Sequence, residues 1–307
     1  MAHPGFAFFQ GRIVPIDEAK IDIRTNTLQY GTGIFEGIRS YWDQDMGTSF
    51  VFRMREHYER LISNSKILMI EVKYTVDELC DITLELLRKE DYAEDAYVRP
   101  FTYNSGLNIG PKLVGNEQDL FIYSIPMGMY LDTDKAIDVC ISSWDRVPDN
   151  AIPPRAKISG SYVNAALQKT EAILNGYDEA LVLSMDGRHV SEGSAMNLFM
   201  VRNGRLITPP QTNDILEGIT RNTVMELARK MEGIETLERL IDRTELYIAD
   251  ELFFCGTGAQ ISPIGSVDKR KIGNGDMGPV TKKLQKHYFD VVKNRVDEFA
   301  HWCTRVR

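Results

Sequence analysis

Apolar side chains in the first third of the chain switch between two periods. Residues 5–9 and 13–16 are short apolar runs either side of Gln10-Gly11, a two-residue hairpin signature. Over 54–69, Tyr58, Leu61, Ile62, Leu68 and Met69 largely follow helical spacing, and Val76, Leu79, Thr83, Leu86 and Leu87 repeat it before Lys89. Strand character returns over 97–103 and 120–125, and Pro126-Met127-Gly128-Met129-Tyr130 then breaks the pattern with turn-forming residues. These periods predict a first sheet covered by two helices, followed by a linker.

A new strand is predicted over 136–143, and Asp186-Gly187 and Asn203-Gly204 mark two hairpins whose glycines accept positive φ. Three helices follow from the spacing. One covers 161–174, with Val163, Ala166, Leu167, Thr170 and Leu174 on one face; the others cover 221–231 and 279–299. The chain therefore reads as α+β in two parts: a small N-terminal domain over 1–125, an interdomain loop over 126–135, and a large C-terminal domain over 136–307.

At 307 residues, 43% apolar and 26% charged, the chain has the makings of a core that needs no disulfide or metal staple. No apolar run reaches the ~18 residues of a membrane span, and the first residues lack a basic stretch before an apolar one, so a cytoplasmic protein with no membrane partner is expected. A net charge of -8 argues against nucleic acid. The four cysteines form no CxxC pair and the five histidines show no ligand spacing, which predicts reduced thiols and no metal.

Chemistry concentrates in four segments. Lys157 lies in Arg155-Ala156-Lys157-Ile158-Ser159-Gly160, and a lysine that forms a Schiff base needs a carboxylate for a pyridine nitrogen and backbone donors for a phosphate. Gly218-Ile219-Thr220 precedes an amphipathic helix with Val224, Leu227, Ala228 and Met231 on its inner face, which offers N–H groups at a positive dipole end. The plain alternative is that Thr220 only caps its own helix. Gly256-Thr257-Gly258, after the apolar run 251–255, is a second turn that would admit an anion. Glu192 sits in the small-residue segment Val190-Ser191-Glu192-Gly193-Ser194, expected as a loop between strands, where its carboxylate would favour a protonated pyridine. Together these residues suggest pyridoxal phosphate. Gly31, Gly33 and Gly37 are spaced GxGxxxG, not GxGxxG, which excludes a dinucleotide fingerprint; GxSxG and GxxxxGK[ST] are absent as well.

Gln29-Tyr30-Gly31-Thr32-Gly33-Ile34-Phe35-Glu36-Gly37-Ile38-Arg39, with Arg55-Glu56-His57, Arg60-Leu61, the Lys157 run, Ser191-Glu192-Gly193, Asn197-Leu198-Phe199 and Gly218-Ile219-Thr220-Arg221, resembles the branched-chain amino acid aminotransferases. These are class IV pyridoxal-phosphate enzymes of fold type IV. The resemblance implies a small α/β domain and a larger one with its own sheet or barrel and flanking helices. It implies that Lys157 links to the cofactor and later moves the substrate Cα proton. Glu192 would meet the pyridine nitrogen, Arg60, Ile219, Thr220 and Thr257 the phosphate, Tyr162 the phenolate oxygen, and Leu216 the ring face.

For the substrate, the resemblance implies an apolar pocket of Phe35, Gly37, Tyr130 and Tyr162, with Tyr30 from a neighbouring subunit. Arg99, with Tyr30 and Tyr130, would take the distal carboxylate of glutamate, and Thr257 with Gly258 the α-carboxylate. L-leucine, isoleucine and valine with 2-oxoglutarate are the implied amino and oxo acids, in at least a homodimer. Gly258, where the family pattern has alanine, Met127, where it has tryptophan, and the segment 104–113 depart from the pattern. These departures keep D-amino acid and (R)-amine transaminases, and aminodeoxychorismate lyases, as alternatives.

Overall fold

The computed structural model describes residues 5–129 and 131–307. The chain divides into two compact units: Met1–Gly128 with Ala156–Gly160 and Val291–Arg307, and Met129–Arg155 with Ser161–Asp290.

The first unit contains β1 (Phe6–Phe9), β2 (Arg12–Pro15), α1 (Asn26–Tyr30), β3 (Gly33–Phe35), β4 (Ile38–Asp43), β5 (Thr48–Phe52), α2 (Met54–Ser65), α3 (Val76–Glu90), β6 (Ala96–Asn104) and β7 (Gln118–Pro126). Its strands form an antiparallel sheet in the order β5, β4, β6, β7, β1, β2, with β3 also on β6 and the C-terminal strand Cys303–Arg305 on the outer side of β5. The β1–β2 hairpin turns through Gln10 at φ 49° and Gly11 at φ 80°, the left-handed pair that matches strand twist. Helix α3 starts with a reciprocal cap in which Thr75 and Glu78 each bond the other's backbone N–H. The helix predicted over 54–69 ends at Ser65, tightens into a 3-10 turn over Lys66–Leu68, and stops at Met69 with φ 54°.

Strands β3, β4 and β5 escape a period-2 reading because they are buried almost continuously, on both faces, and carry Arg39 and Asp43 among their apolar residues. The domain boundaries expected from the sequence differ from the observed units: 156–160 and 291–307 join the first unit, not one domain over 136–307. The physical cause at the C-terminus is strand pairing, with Cys303 opposite Phe52 and Arg305 opposite Phe50. The Arg53 guanidinium covers the Trp302 ring at 4.5 Å.

The second unit contains β8 (Ile137–Ile141), α4 (Tyr162–Leu174), β9 (Glu179–Leu183), β10 (Val190–Gly193), β11 (Asn197–Arg202), β12 (Arg205–Thr208), α5 (Ile219–Glu232), β13 (Thr236–Glu238), β14 (Glu251–Gly256), β15 (Gln260–Val267), β16 (Arg270–Lys271) and most of α6 (Pro279–Val292). The sheet order is β10, β9, β8, β15, β14, β11, β12, β13, with β16 on β15. Parallel pairs β8–β9, β8–β15 and β12–β13 make it mixed, and α4 and α5 lie in two of the long connections that parallel strands require. Leu181, Leu198, Met200, Phe254 and Ile264 belong to its main apolar cluster. The helix predicted over 279–299 ends at Val292; Asn294 has φ 55° and a 3-10 turn follows over Asp297–Trp302.

Candidate active site

In the first unit, Lys157 is held in the left-handed region at φ 49°, uncommon for a residue with a Cβ. Its segment is tied down on both sides. The Lys157 carbonyl accepts from Phe35 N–H at 3.3 Å, and both the Ser159 hydroxyl and Gly160 N–H donate to the Gly31 carbonyl at 3.0 and 3.1 Å. Gly31 permits this approach, since a Cβ there would lie 2.7 Å from Gly160 Cα. Lys157 Nζ then stands 4.8 Å from the Phe35 ring centre, and the Arg99 guanidinium carbon lies 4.3 Å from the same ring.

Arg99 Nη2 donates to the Tyr97 hydroxyl at 3.0 Å, and Gly37 leaves room for that hydroxyl, which a Cβ would approach to 1.9 Å. Lys157, Phe35, Gly37 and Arg99 are thus gathered, and Tyr97 joins them although the sequence reading did not single it out. Its strand alternation gave no signal beyond β6. Tyr30 is exposed and its hydroxyl accepts from Gly110 N–H at 2.9 Å; Tyr130 lies outside the described residues.

Arg60 grips Glu36 with both arms of its fork, Nε to Oε1 and Nη2 to Oε2, each at 2.7 Å, and His57 Nδ1 lies 2.8 Å from Oε2. Glu36 is wholly buried. Burial alone pushes its carboxyl up, but Arg60 and His57 outweigh that and hold it well below the usual carboxylate range. Burial also pulls the His57 imidazole down, against the opposing pull of Glu36. Glu36 was read only as part of a motif string, and its role as the buried partner of Arg60 needed the fold.

In the second unit, Glu192 lies within strand β10 and is buried, where the sequence predicted a loop; the small residues around it permit close packing, not mobility. Arg146 Nη2 reaches its Oε1 at 2.5 Å, Asn197 Nδ2 donates to Oε2 at 2.7 Å, and Leu216 N–H lies 3.3 Å from both oxygens. Asn197 also donates to the Leu216 carbonyl at 2.9 Å. The two sequence segments are thereby locked together.

That lock explains Gly218, where a Cβ would lie 2.0 Å from Asn197 Oδ1. Gly218 is the N-cap of α5 and supplies no side chain to cover the helix end. Thr220 is therefore not the cap, as the plain alternative held, but a buried residue of the first turn beside Ile219. Thr257 and Gly258 form the hairpin between β14 and β15, two and three positions beyond Cys255, which pairs with Asn197 across the sheet. The left-handed residue of that hairpin is Gln260 at φ 56°. One end of this sheet collects Glu192, Leu216, the start of α5 and the 257–258 turn, while Tyr162 opens α4 and is half-buried. Among the described residues no group of His, Cys, Asp and Glu side chains could hold a metal ion, and no helix is long and apolar enough to cross a membrane.

A buried, cation-paired carboxylate beside an uncapped helix start, together with a strained lysine, fits a pyridoxal-phosphate enzyme of α+β architecture. Residues 33–267 match the class IV aminotransferase family model, and the chain belongs to that family. It is 49% identical to the probable branched-chain-amino-acid aminotransferase of Aquifex aeolicus, over 98% of this chain and 96% of that one. Its fold superposes on the branched-chain amino acid aminotransferase of Thermobaculum terrenum in its PLP form with a TM-score of 0.95 and 40% identity, covering 100% of both chains. The branched-chain aminotransferase of the archaeon Thermoproteus uzoniensis with norvaline gives 0.94 and 40%, over 99% of both. The protein is an aminotransferase of fold type IV.

Proposed function

We propose that the protein transfers the amino group of L-leucine, isoleucine and valine to 2-oxoglutarate, reversibly, with pyridoxal phosphate bound to Lys157. The observation that carries this is the buried Glu192 carboxylate, fixed by Arg146, Asn197 and Leu216 N–H, because a desolvated carboxylate suits a pyridinium nitrogen. The names of the relatives support the substrate class. The cofactor, when bound, supplies the electron sink for bond breaking at the substrate Cα.

Within this reading Lys157 carries the proton to and from Cα, and its left-handed backbone with three tethers restricts where Nζ can go. Ile219 and Thr220 at the start of α5, with Thr257 and Arg60, hold the phosphate; Glu36 keeps the Arg60 fork in one plane. Leu216 covers the ring face, and Tyr162 meets its oxygen. Phe35, Gly37, Tyr130 and Tyr162 receive the apolar side chain, Arg99 with Tyr30 and Tyr130 takes the second carboxylate of glutamate, and Thr257 and Gly258 take the α-carboxylate. Stacked beside Phe35, Arg99 sits where one wall is apolar and one charge is available, which suits alternate binding of both side-chain types. Assembly as a homodimer or larger homo-oligomer in the cytoplasm completes the proposal.

The test is the absorption spectrum of the purified protein before and after L-leucine, D-alanine or (R)-1-phenylethylamine, without an amino acceptor. Loss of the visible band with L-leucine, and rise of the near-ultraviolet pyridoxamine band, is the expected result. A response confined to D-alanine or the (R)-amine overturns the substrate class, and no visible band after added cofactor overturns the Lys157 assignment.

A further inference from the structure

Arg146 lies 46 residues before Glu192 in the sequence and belongs to no motif read from it, yet its guanidinium is the cation on Glu192 Oε1 at 2.5 Å. Both side chains are shielded, at 14% and 3% exposure, so solvent screens the pair little. Arg146 is itself aimed. Its Nε donates to the Asp214 carbonyl at 3.3 Å, its backbone N–H donates to the Leu183 carbonyl, and the Ser191 hydroxyl donates to that same Asp214 carbonyl at 3.1 Å. Asn197 fixes the other oxygen of Glu192 and bridges to the Leu216 carbonyl.

We propose that Arg146 is a positioning residue that, with Asn197, keeps Glu192 charged, so that the proton shared with the cofactor ring stays on the ring nitrogen. The inference rests on the proposed pairing of Glu192 with that nitrogen. The physical reason is competition for one proton. A carboxylate and a pyridine form either a charged pair or a neutral acid and base; in a desolvated site the neutral pair gains, unless a cation on the far side stabilises the carboxylate. Arg146 contacts Glu192 directly, so it would favour the carboxylate more than it would disfavour a pyridinium that met Arg146 only through that carboxylate. Without it the N–H bond at the ring breaks, an O–H bond forms on Glu192, and the ring loses much of its capacity to accept electrons.

The experiment is nitrogen NMR of holoenzyme carrying ring-15N pyridoxal phosphate, for the parent protein and for Glu192→Gln, Arg146→Met, Arg146→Lys and Asn197→Asp. The parent ring nitrogen should resonate as a pyridinium. Arg146→Met should move it toward the neutral position and lower kcat by about ten- to hundredfold with a smaller change in KM. Lysine should restore part of both. Asn197→Asp, which sets a second carboxylate against Oε2, should move the resonance in the same direction. If Arg146→Met does not fold, Arg146→Lys and Asn197→Asp decide the matter. A shift with Glu192→Gln and none with the Arg146 and Asn197 variants overturns the inference and leaves the Glu192 pairing intact. No shift with Glu192→Gln overturns the pairing, and the inference with it.

Discussion

Glu36 in the first unit and Glu192 in the second are both buried almost completely, and their surroundings differ in kind. Glu36 meets the fork of Arg60 on both oxygens and the ring of His57 on one of them. Glu192 meets the cation of Arg146 on one oxygen and a neutral amide of Asn197 on the other. A fork on both oxygens satisfies a carboxylate completely and makes it an anchor for the arginine. Glu192 is held instead by a guanidinium on one oxygen and an amide on the other, an arrangement that suits the pyridinium pairing proposed for it. Burial alone does not separate structural from chemical carboxylates; the charge and geometry of the partners do.

If the contrast is right, Glu192→Gln should lower kcat by roughly 10²- to 10³-fold, read from steady-state rates at saturating cofactor, while the protein stays folded. Glu36→Gln should act chiefly on stability, and on cofactor binding only through the Arg60 fork. Leaving the Arg60 fork half-paired next to His57 should cost about 3 kcal/mol or more, seen in the urea midpoint, and an unchanged midpoint would break the comparison.

A pH series sharpens it. Because burial lowers His57 below its ordinary 6.5, the unfolded chain takes up that proton first as pH falls. The stabilisation from keeping His57 neutral is therefore complete above pH 6.5 and declines below it, whereas that of Glu36 persists until pH drops below its ordinary 4.5. His57→Gln should flatten the decline of Tm just below pH 6.5; a decline as steep as in the parent protein would count against it. The smallest effect belongs to a control at an exposed helix cap. Thr75→Ala removes the reciprocal cap of α3 and should cost about 1 kcal/mol of stability with kcat unchanged.

Helices α3 and α5, the β1–β2 hairpin and both glycine turns of the second unit were legible because each is a local pattern of period, cap or turn residue. The span of α4 was legible but its inner face was not, since Val163, Leu167 and Leu174 are exposed while Ala165, Gln168 and Ala172 are buried. Lys157, Glu192 and Thr220 were legible as candidates because glycine stands within three positions of each. Other features were hidden for identifiable reasons. Strands β3 to β5 lack alternation because they are buried on both faces, and the C-terminal strand is too short to show a period. Glu192 looked like a loop residue since small side chains signal turns and tight strand packing equally well. Tyr97, Arg146 and the Glu36–Arg60 fork join residues through space, which no spacing rule encodes.

By itself the sequence determined the class of chemistry, because the order of a lysine, a carboxylate and glycine-rich turns is a matter of residue type and local sequence. It determined most helices too, since their amphipathic period is written within about fifteen residues. Tertiary structure alone decided which carboxylate meets an arginine fork on both oxygens and which meets an arginine on one, and which short strand completes which sheet. Electrostatics and strand pairing depend on distance in space, and residues like Arg146 and Glu192, or Phe52 and Cys303, become neighbours only when the chain has folded.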